Sequence, residues 1–398
     1  MRRTLSRRPA VISAVVVLLL CAERVETARR PKHGGELRLE ISEAVQTLVS
    51  NAGRESAEEV GAKAQIVALV YDLPDSPGKQ PVEVKPGPFV MAEWDPGNHA
   101  VLKANSDYRK GRPFLNSVQI QMGRSARDML VDLELGRTDL AEIPVEQARR
   151  ATDRGVRVSV SKPDELLAVV FPAGRAATED ARVREALAAA IDRASLVNFI
   201  LQKNGEAAGG LLPLWSSGTA FLFSTAADAG RAKELWAQIT GSPKLVLGYD
   251  SGDSLEQSVA ERIVVNAKEA GISVTAQGIP GAGSAASKQG AFDARLMRLR
   301  MTSPLPRVAL TNFLATLGPV AKIDASPLPD PASPQDIYDR ERAIVSSYCV
   351  VSLVWLPQVY GLSARVRNWK APGPGETWPL ADVWLEGATE SAGEKEKQ

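Results

Sequence analysis

Residues 244–274 switch periodicity twice, and few architectures accept that order. KLVLGY over 244–249 is an apolar run of strand length. Leu255, Val259, Ile263 and Ala267 then recur every fourth residue, Gly271 closes the stripe, and Ile272 and Val274 open a second apolar run. Two strands with a whole helix between them cannot pair as a hairpin. They lie parallel, with the helix crossing one face of the sheet, in a unit of roughly thirty residues. The middle of the chain is therefore predicted to be α/β.

The flanks add elements of both kinds. Leu37, Leu39 and Ile41 alternate as a half-buried strand does, and so do Val118, Ile120 and Met122. Two further strands are expected at 90–94 and 100–103, joined by a turn at Asp95-Pro96-Gly97-Asn98. The segment 44–71 reads as helical, with Ile66, Leu69 and Val70 as its apolar stripe; a helix from Ser125 stops at Gly136. Thr178 is expected to cap a helix carrying Val183, Leu187, Ala190, Ile191 and Ala194. Asp192 is expected to cap a second one with Leu196, Phe199 and Ile200, ended by Gly205. A last helix over 334–348 precedes the apolar run VVSLVWLP. Pro74, Pro77, Pro81, Pro86 and Pro88 mark a loop between the first helix and the second strand.

At the N-terminus Arg2, Arg3, Arg7 and Arg8 precede the apolar run AVISAVVVLLL. A basic segment before a run too short to span a bilayer is the pattern of a secretory leader, expected over residues 1–28. Leu18, Leu19, Leu20 and Cys21 resemble a lipoprotein signal that would anchor the chain through Cys21, although Leu20 stands where that signal has a small residue. The charge balance, 48 Lys+Arg against 47 Asp+Glu, leaves no basic field for a polyphosphate, so a dedicated nucleic-acid binder is excluded. Two His and two Cys are too few for a zinc module or a disulfide scaffold.

Isolated motifs resolve to bland readings. Gly281, Gly283 and Ala286 spell a dinucleotide-like pattern, but no acid follows at the needed distance and no apolar helix begins there. Ser159 and Lys162 form S-x-x-K without its companion motifs. His33 and His99 are expected to be solvated, and Cys349 sits among apolar neighbours as an inert buried thiol. No catalytic constellation, metal site or cofactor site emerges.

Three longer stretches carry more. GPFVMAEWDPGNHAVLKANSDYRKGRPFLNSVQIQ, through Gly87, Pro88, Trp94, Pro96, Gly97, Leu102, Asn105, Tyr108, Gly111 and Pro113, resembles a segment of the extracytoplasmic solute-binding proteins of the dipeptide/oligopeptide/nickel type, family 5. Leu133, Gly136 and Asp139 are similar to the element that follows it there. DARVREALAAAIDR resembles the same family's helix pair through Asp180, Arg182, Val183, Arg184, Ala186, Ala190, Ile191, Asp192 and Arg193. LVWLPQVYGLSARVRNW is similar to its C-terminal return strand.

This resemblance implies a two-lobed periplasmic-binding-protein-like α/β fold with a discontinuous first lobe. Lobe one is expected over residues 34–172 plus 358–388 and lobe two over 173–357, with a disordered tail at 389–398. Most of the subdomain that the family inserts in its first lobe is missing, since only the Pro-rich stretch occupies its place, and the cleft should be the more open for it. The implied function is capture of a solute, a peptide by expectation, for a membrane ABC permease. That makes the chain a monomeric, non-enzymatic, extracytoplasmic binder without a cofactor. The competing reading is an exported relative that has lost transport and serves as an accessory or interaction protein. Candidate solute contacts are Asp293, Arg298 and Arg300. If residues 294–300 form a strand, Arg298 and Arg300 share one face, positioned to meet a carboxylate, and Arg295 takes the other. Arg182, Arg184, Asp192 and Arg193 are expected to cap and brace the helix junction.

Overall fold

The computed structural model describes residues 31–48, 61–72, 85–218, 223–280 and 292–388. The expected leader with Cys21, the Gly281–Ala286 pattern, most of the Pro-rich stretch and the tail at 389–398 lie outside these residues. Among the described residues no helix is long and apolar enough to cross a membrane.

Two sheets organise the molecule. The strands of the first are β1 (Glu36–Glu40), β4 (Phe89–Asp95), β5 (His99–Ala104), β6 (Ser117–Gln121), β7 (Leu140–Glu142), β8 (Arg157–Val160) and β15 (Val359–Leu362); a ribbon of β2 (Tyr71–Asp72) and β3 (Lys85–Pro86) lies apart from it. Their order across the sheet is β4-β5-β6-β1-β7-β15-β8, with the central trio β6, β1 and β7 parallel. The second sheet holds β9 (Glu165–Val170), β10 (Glu206–Ala207), β11 (Leu245–Asp250), β12 (Val274–Ile279), β13 (Ala294–Arg300) and β14 (Val350–Leu356), in the order β10-β14-β9-β13-β11-β12. Here β11 is parallel to both β12 and β13, so the strand–helix–strand unit stands as expected, with the helix Ser254–Glu269 crossing over.

Why β9 and β14 are almost wholly apolar is visible in their packing. Leu167 and Val169 join one buried cluster with the helices Ala181–Ala190, Ala229–Ala237 and Ser254–Glu269. Leu166, Ala168 and Val170 join another, beneath the helices Pro306–Leu317 and Pro334–Ser347. A sheet covered on both faces needs apolar side chains at every position. Each fully buried Leu or Val contributes about 1.5–3 kcal/mol. The first sheet has its own core, where Leu37, Leu39 and Ile120 meet Tyr360, Trp378 and Leu380 from the C-terminal return. Its charged anchor is Asp139, fully buried and held by Arg38 at 3.0 Å and by Arg365 at 2.6 Å. Burial alone would raise the Asp139 carboxyl; the hydrogen bonds from Arg365 and Arg38 outweigh it and hold the carboxyl low.

Several local expectations are corrected. Helix within 44–71 is confined to Ala62–Val70 among the described residues, because Gly97 N–H donates to the Val45 carbonyl and keeps that segment extended. Asp180, not Thr178, caps the helix Ala181–Ala190, accepting from the Arg182 N–H; the Thr178 hydroxyl instead reaches the Asp293 carbonyl at 3.4 Å. Asp192 does cap the next turn, at 3.1 Å from Ser195 N–H, but Leu196–Ile200 is a π-turn with Leu201 N–H donating to the Leu196 carbonyl. Its extra residue per turn shifts the phase, and Phe199, expected on the apolar stripe, is 71% exposed. The chain leaves the first sheet through residues 161–164 and returns through 357–358. β9, expected in lobe one, therefore pairs in the second sheet with β13 and β14. Between β1 and β4 the described residues hold one helix and the ribbon of β2 and β3, where the larger subdomain was expected to be missing.

Candidate functional site

The ends of parallel strands from the two sheets are linked. Ser254, just past β11, bonds Glu146, just past β7, and Arg300 at the end of β13 acts on the Glu142 carboxyl at the end of β7. β1 and β7 close at Glu40 and Glu142, β11 and β13 at Asp250 and Arg300, and the two crossing segments run between them. The crevice beyond the carboxyl ends of parallel strands is where α/β folds hold ligands.

Register fixes what faces this seam. Arg300 stands opposite Glu165 across the β13–β9 ladder, and Arg298 opposite Leu167, one diagonal step away. Both guanidinium groups consequently reach the Glu165 carboxylate, at 2.7 Å from Arg298 and 3.3 Å from Arg300. Arg298 also bonds Asp253 at 2.6 Å and lies 3.7 Å from Glu256. Asp253 caps the helix Ser254–Glu269 by accepting from Leu255 and Glu256 N–H, so Arg298 pins that helix to the end of β13. Burial works against Arg298, but Glu165, Asp253 and Glu256 outweigh it and raise its pKa. Burial likewise opposes ionisation of Glu165, and Arg300 with Arg298 reverses it, holding Glu165 below the usual carboxylate range.

The crossing segments are tied by a hydrogen-bond chain. Trp378 Nε1 donates to the Tyr360 hydroxyl at 3.3 Å, Tyr360 to Gln358 Oε1 at 2.9 Å, and Gln358 Nε2 to Asp164 Oδ2 at 2.6 Å. Asp164 Oδ1 is buried with no hydrogen-bond partner among the described residues. Burial pushes Asp164 up to about 7 and Glu142 likewise up to about 7, with Arg300 only partly opposing either shift. Near neutral pH both carboxyls are poised between their two forms. Across the seam, Ser254 Oγ donates to Glu146 Oε1 at 3.1 Å, joining the helix of the second sheet to the turn after β7.

The remaining sequence candidates are placed elsewhere. Asp293 precedes β13 at its opposite end, where its carboxylate accepts from Val246 N–H at 2.9 Å. Arg295 lies on the other face of β13 and directs Nη2 at Met297 Sδ. Arg182 pairs with Asp180 at the surface, and Arg184 donates to the carbonyls of Ser347, Thr178 and Glu179. Asp192 caps the turn into Arg193, whose Nε donates to the Ser352 carbonyl at 2.7 Å. Sequence reasoning found Arg298 and Arg300 but missed Glu142, Asp164, Glu165, Asp253 and Glu256 around them. Two signals were there to use: an acid at the end of a short apolar strand, Glu165 opening Leu-Leu-Ala-Val-Val and Glu142 closing Leu140-Ala141, and Asp253 directly before a helical stripe. With five carboxyls against two guanidinium groups the seam is acidic, the reverse of a basic face waiting for a carboxylate.

The family model for bacterial extracellular solute-binding proteins, family 5 (middle), matches residues 63–318. Among curated proteins, the oligopeptide-binding protein AppA of Bacillus subtilis is 30% identical over 142 residues, a match spanning 35% of this chain and 26% of AppA. The matched part is thus about a quarter of that relative's length. Among solved structures, AppA of Bacillus subtilis in complex with a nonapeptide superposes with a TM-score of 0.56 at 20% identity, over 76% of this chain and 67% of AppA. The ABC transporter substrate-binding protein CtaP of Listeria monocytogenes superposes at 0.60 with 18% identity, over 75% of this chain and 66% of CtaP. These structural likenesses establish a shared fold.

Proposed function

Because the chain belongs to the bacterial extracellular solute-binding proteins of family 5, we propose that it captures a peptide-like solute in the seam between its two sheets and delivers it to an ABC permease. The observation that carries this reading is the surplus of carboxyls at the strand ends, with Glu142 and Asp164 both pushed to about 7. A solute ammonium entering there would draw both groups into their charged form and exchange water for charge-assisted hydrogen bonds. Arg298 and Arg300 shape the seam through Glu165 and take no direct part in holding a carboxylate. The short crossings at 161–164 and 357–358 serve as the hinge on which the lobes, here 34–164 with 357–388 against 165–356, open and close. The chain acts outside the cytoplasm as a monomer, released or lipid-anchored after loss of the leader at 1–28. It works as a binder and not as an enzyme.

Calorimetric titration with a dipeptide and its N-acetylated counterpart tests the reading. The free amine is expected to bind and the acetylated peptide to bind about tenfold or more weakly. Affinity should rise between about pH 6 and pH 8, because Glu142 and Asp164 lose their protons through 7 while the peptide amine keeps most of its charge until about 8. Glu142→Gln with Asp164→Asn should abolish that rise. Equal affinity for both peptides overturns the ammonium site, and binding of no solute at all moves the chain to the accessory, non-transporting reading.

A further inference from the structure

A cavity lies outside the seam, at the opposite end of β14. It measures about 300 Å³ and opens between the helix Ala181–Ala190, the start of β14 and residues 223–231. Its wall is mixed: Ala188, Ala189, Phe223, Val345 and Tyr348 supply an apolar and aromatic part, and charged side chains the rest. Into it faces Arg193, which is 93% buried, since its exposure is 7%. The Nε of Arg193 is spent on the Ser352 carbonyl at 2.7 Å. Among the described residues, its two Nη atoms have no hydrogen-bond partner and no carboxylate lies within ion-pair distance of them.

Glu185, Ser224, Asp228, Arg231, Tyr348 and Ser352 also line this cavity, and the charged ones among them are committed, while the buried Ser352 hydroxyl has no hydrogen-bond partner among the described residues. Glu185 and Arg231 pair with each other at 3.0 Å. Asp228 caps the helix Ala229–Ala237 by accepting from Arg231 N–H at 2.8 Å. The Ser352 carbonyl receives Arg193 itself. Burial lowers the Arg193 guanidinium to about 10, with no nearby charge offsetting it, which still leaves it fully protonated at neutral pH. A buried cation without a counter-ion is costly, and a guanidinium fork with both Nη atoms uncommitted in a cavity wall matches a planar carboxylate.

We propose that this cavity is a second binding site, for a small organic monocarboxylate whose apolar body lies against Phe223, Val345 and Tyr348 while its carboxylate takes both Nη atoms of Arg193. The pocket volume suits a ligand the size of a substituted benzoate or a short branched acid. Nothing in the site supplies a second cation for a dianion, because Arg231 is held by Glu185. The site stands apart from the seam: among the described residues the side chains of Arg193, Glu185, Asp228 and Arg231 bond to Ser352 or to one another.

The test is titration of the full chain with benzoate, with neutral benzamide, and with sulfate, followed by calorimetry or ligand-observed NMR. Benzoate is expected to bind at least about tenfold more tightly than benzamide or sulfate. Arg193→Lys keeps the charge but loses the fork, and should weaken benzoate about tenfold or more while the chain remains folded by its melting transition. Ser224→Trp, placed at an exposed position on the rim, should block benzoate without disturbing the core. Glu142→Gln should leave benzoate binding unchanged, so that failure of the ammonium site and failure of this one remain distinguishable. Benzamide binding as well as benzoate, sulfate binding as well as benzoate, or no benzoate binding up to about 20 mM each overturns the proposal.

Discussion

Arg298 and Arg193 are arginines of the same lobe, both withdrawn from bulk water, and their surroundings push them in opposite directions. Arg298 is ringed by Glu165, Asp253 and Glu256, which more than repay its desolvation and raise its pKa. Arg193 has one carbonyl for company, and burial lowers it to about 10. The first arginine is a structural tie between β13 and the helix Ser254–Glu269; the second is an unmet charge in the wall of a cavity. Neither role can be read from the residue type. What separates them is whether strand register and a helix N-terminus bring carboxylates within reach.

The largest expected effect comes from breaking the two in parallel. Arg298→Ala leaves Asp253 and Glu256 without their guanidinium and Glu165 with Arg300 alone, and should cost about 3–5 kcal/mol of stability, the scale of orphaning a partner in a buried ion pair. Arg193→Met removes a cation that has no counter-ion and replaces it with a flexible chain of similar reach. Its cost should be about 1 kcal/mol or less, the net worth of one hydrogen bond. Chemical denaturation of both variants measures the difference. Equal losses would mean that Arg193 has a charged partner after all, or that the Arg298 cluster is too wet to matter.

The pH dependence should sharpen the same contrast with a smaller effect. Glu142 and Asp164 have folded pKa values of about 7, above the ordinary 4.5 and 3.8, so the folded state binds more protons than the unfolded one. Their contribution is fully present below the unfolded values and is lost as pH rises through about 7. Glu165 and Asp139 act the other way: their depressed values add stability above the unfolded value, and this is lost as pH falls through the folded value in acid. Melting should therefore be highest at mildly acidic pH and should decline toward pH 8. Glu142→Gln should flatten that decline by about 1–3 kcal/mol over the interval. Arg193, at about 10, is silent throughout this window, because a lowered cation pKa changes stability only as pH approaches it. A decline unaffected by Glu142→Gln would remove this residue from the account.

How much of this was legible in the sequence follows from the range of the interactions. The unit from β11 to β12 was legible because helix and strand periods are local, and β14 because a doubly covered sheet leaves an almost wholly apolar run; β9, equally apolar, was passed over. The pairing of Arg298 with Arg300 on one face followed from strand alternation alone. Their partners did not, since Glu165 lies over a hundred residues away and meets them only through ladder register. The π-turn at Leu196–Ile200 was illegible for a different reason: no residue type marks an i+5 turn, and its sign is only that Phe199 ends up in solvent. The cap at Asp180 in place of Thr178 is a choice between two good capping residues two positions apart, which the chain settles by turning the Thr178 hydroxyl to Asp293.

That leaves the junction that aims Arg193, where the smallest effect is expected. Asp192 accepts from Ser195 N–H at 3.1 Å, its own N–H donates to Asn266 Oδ1 at 3.2 Å, and the Ser195 hydroxyl returns to the Asp192 carbonyl at 2.8 Å. These bonds fix the one-turn helix Arg193–Ser195, and with it the direction in which the Arg193 side chain leaves the backbone. Asp192→Ala removes the cap and should lower stability by about 1 kcal/mol, whereas Asp192→Asn keeps an acceptor and should restore most of it. If the cap also aims the guanidinium, Asp192→Ala should weaken benzoate binding only modestly, well short of the loss in Arg193→Lys. Unchanged melting together with lost binding of the seam's peptide would instead make Asp192 a solute contact, and the bracing role argued for it here would fall.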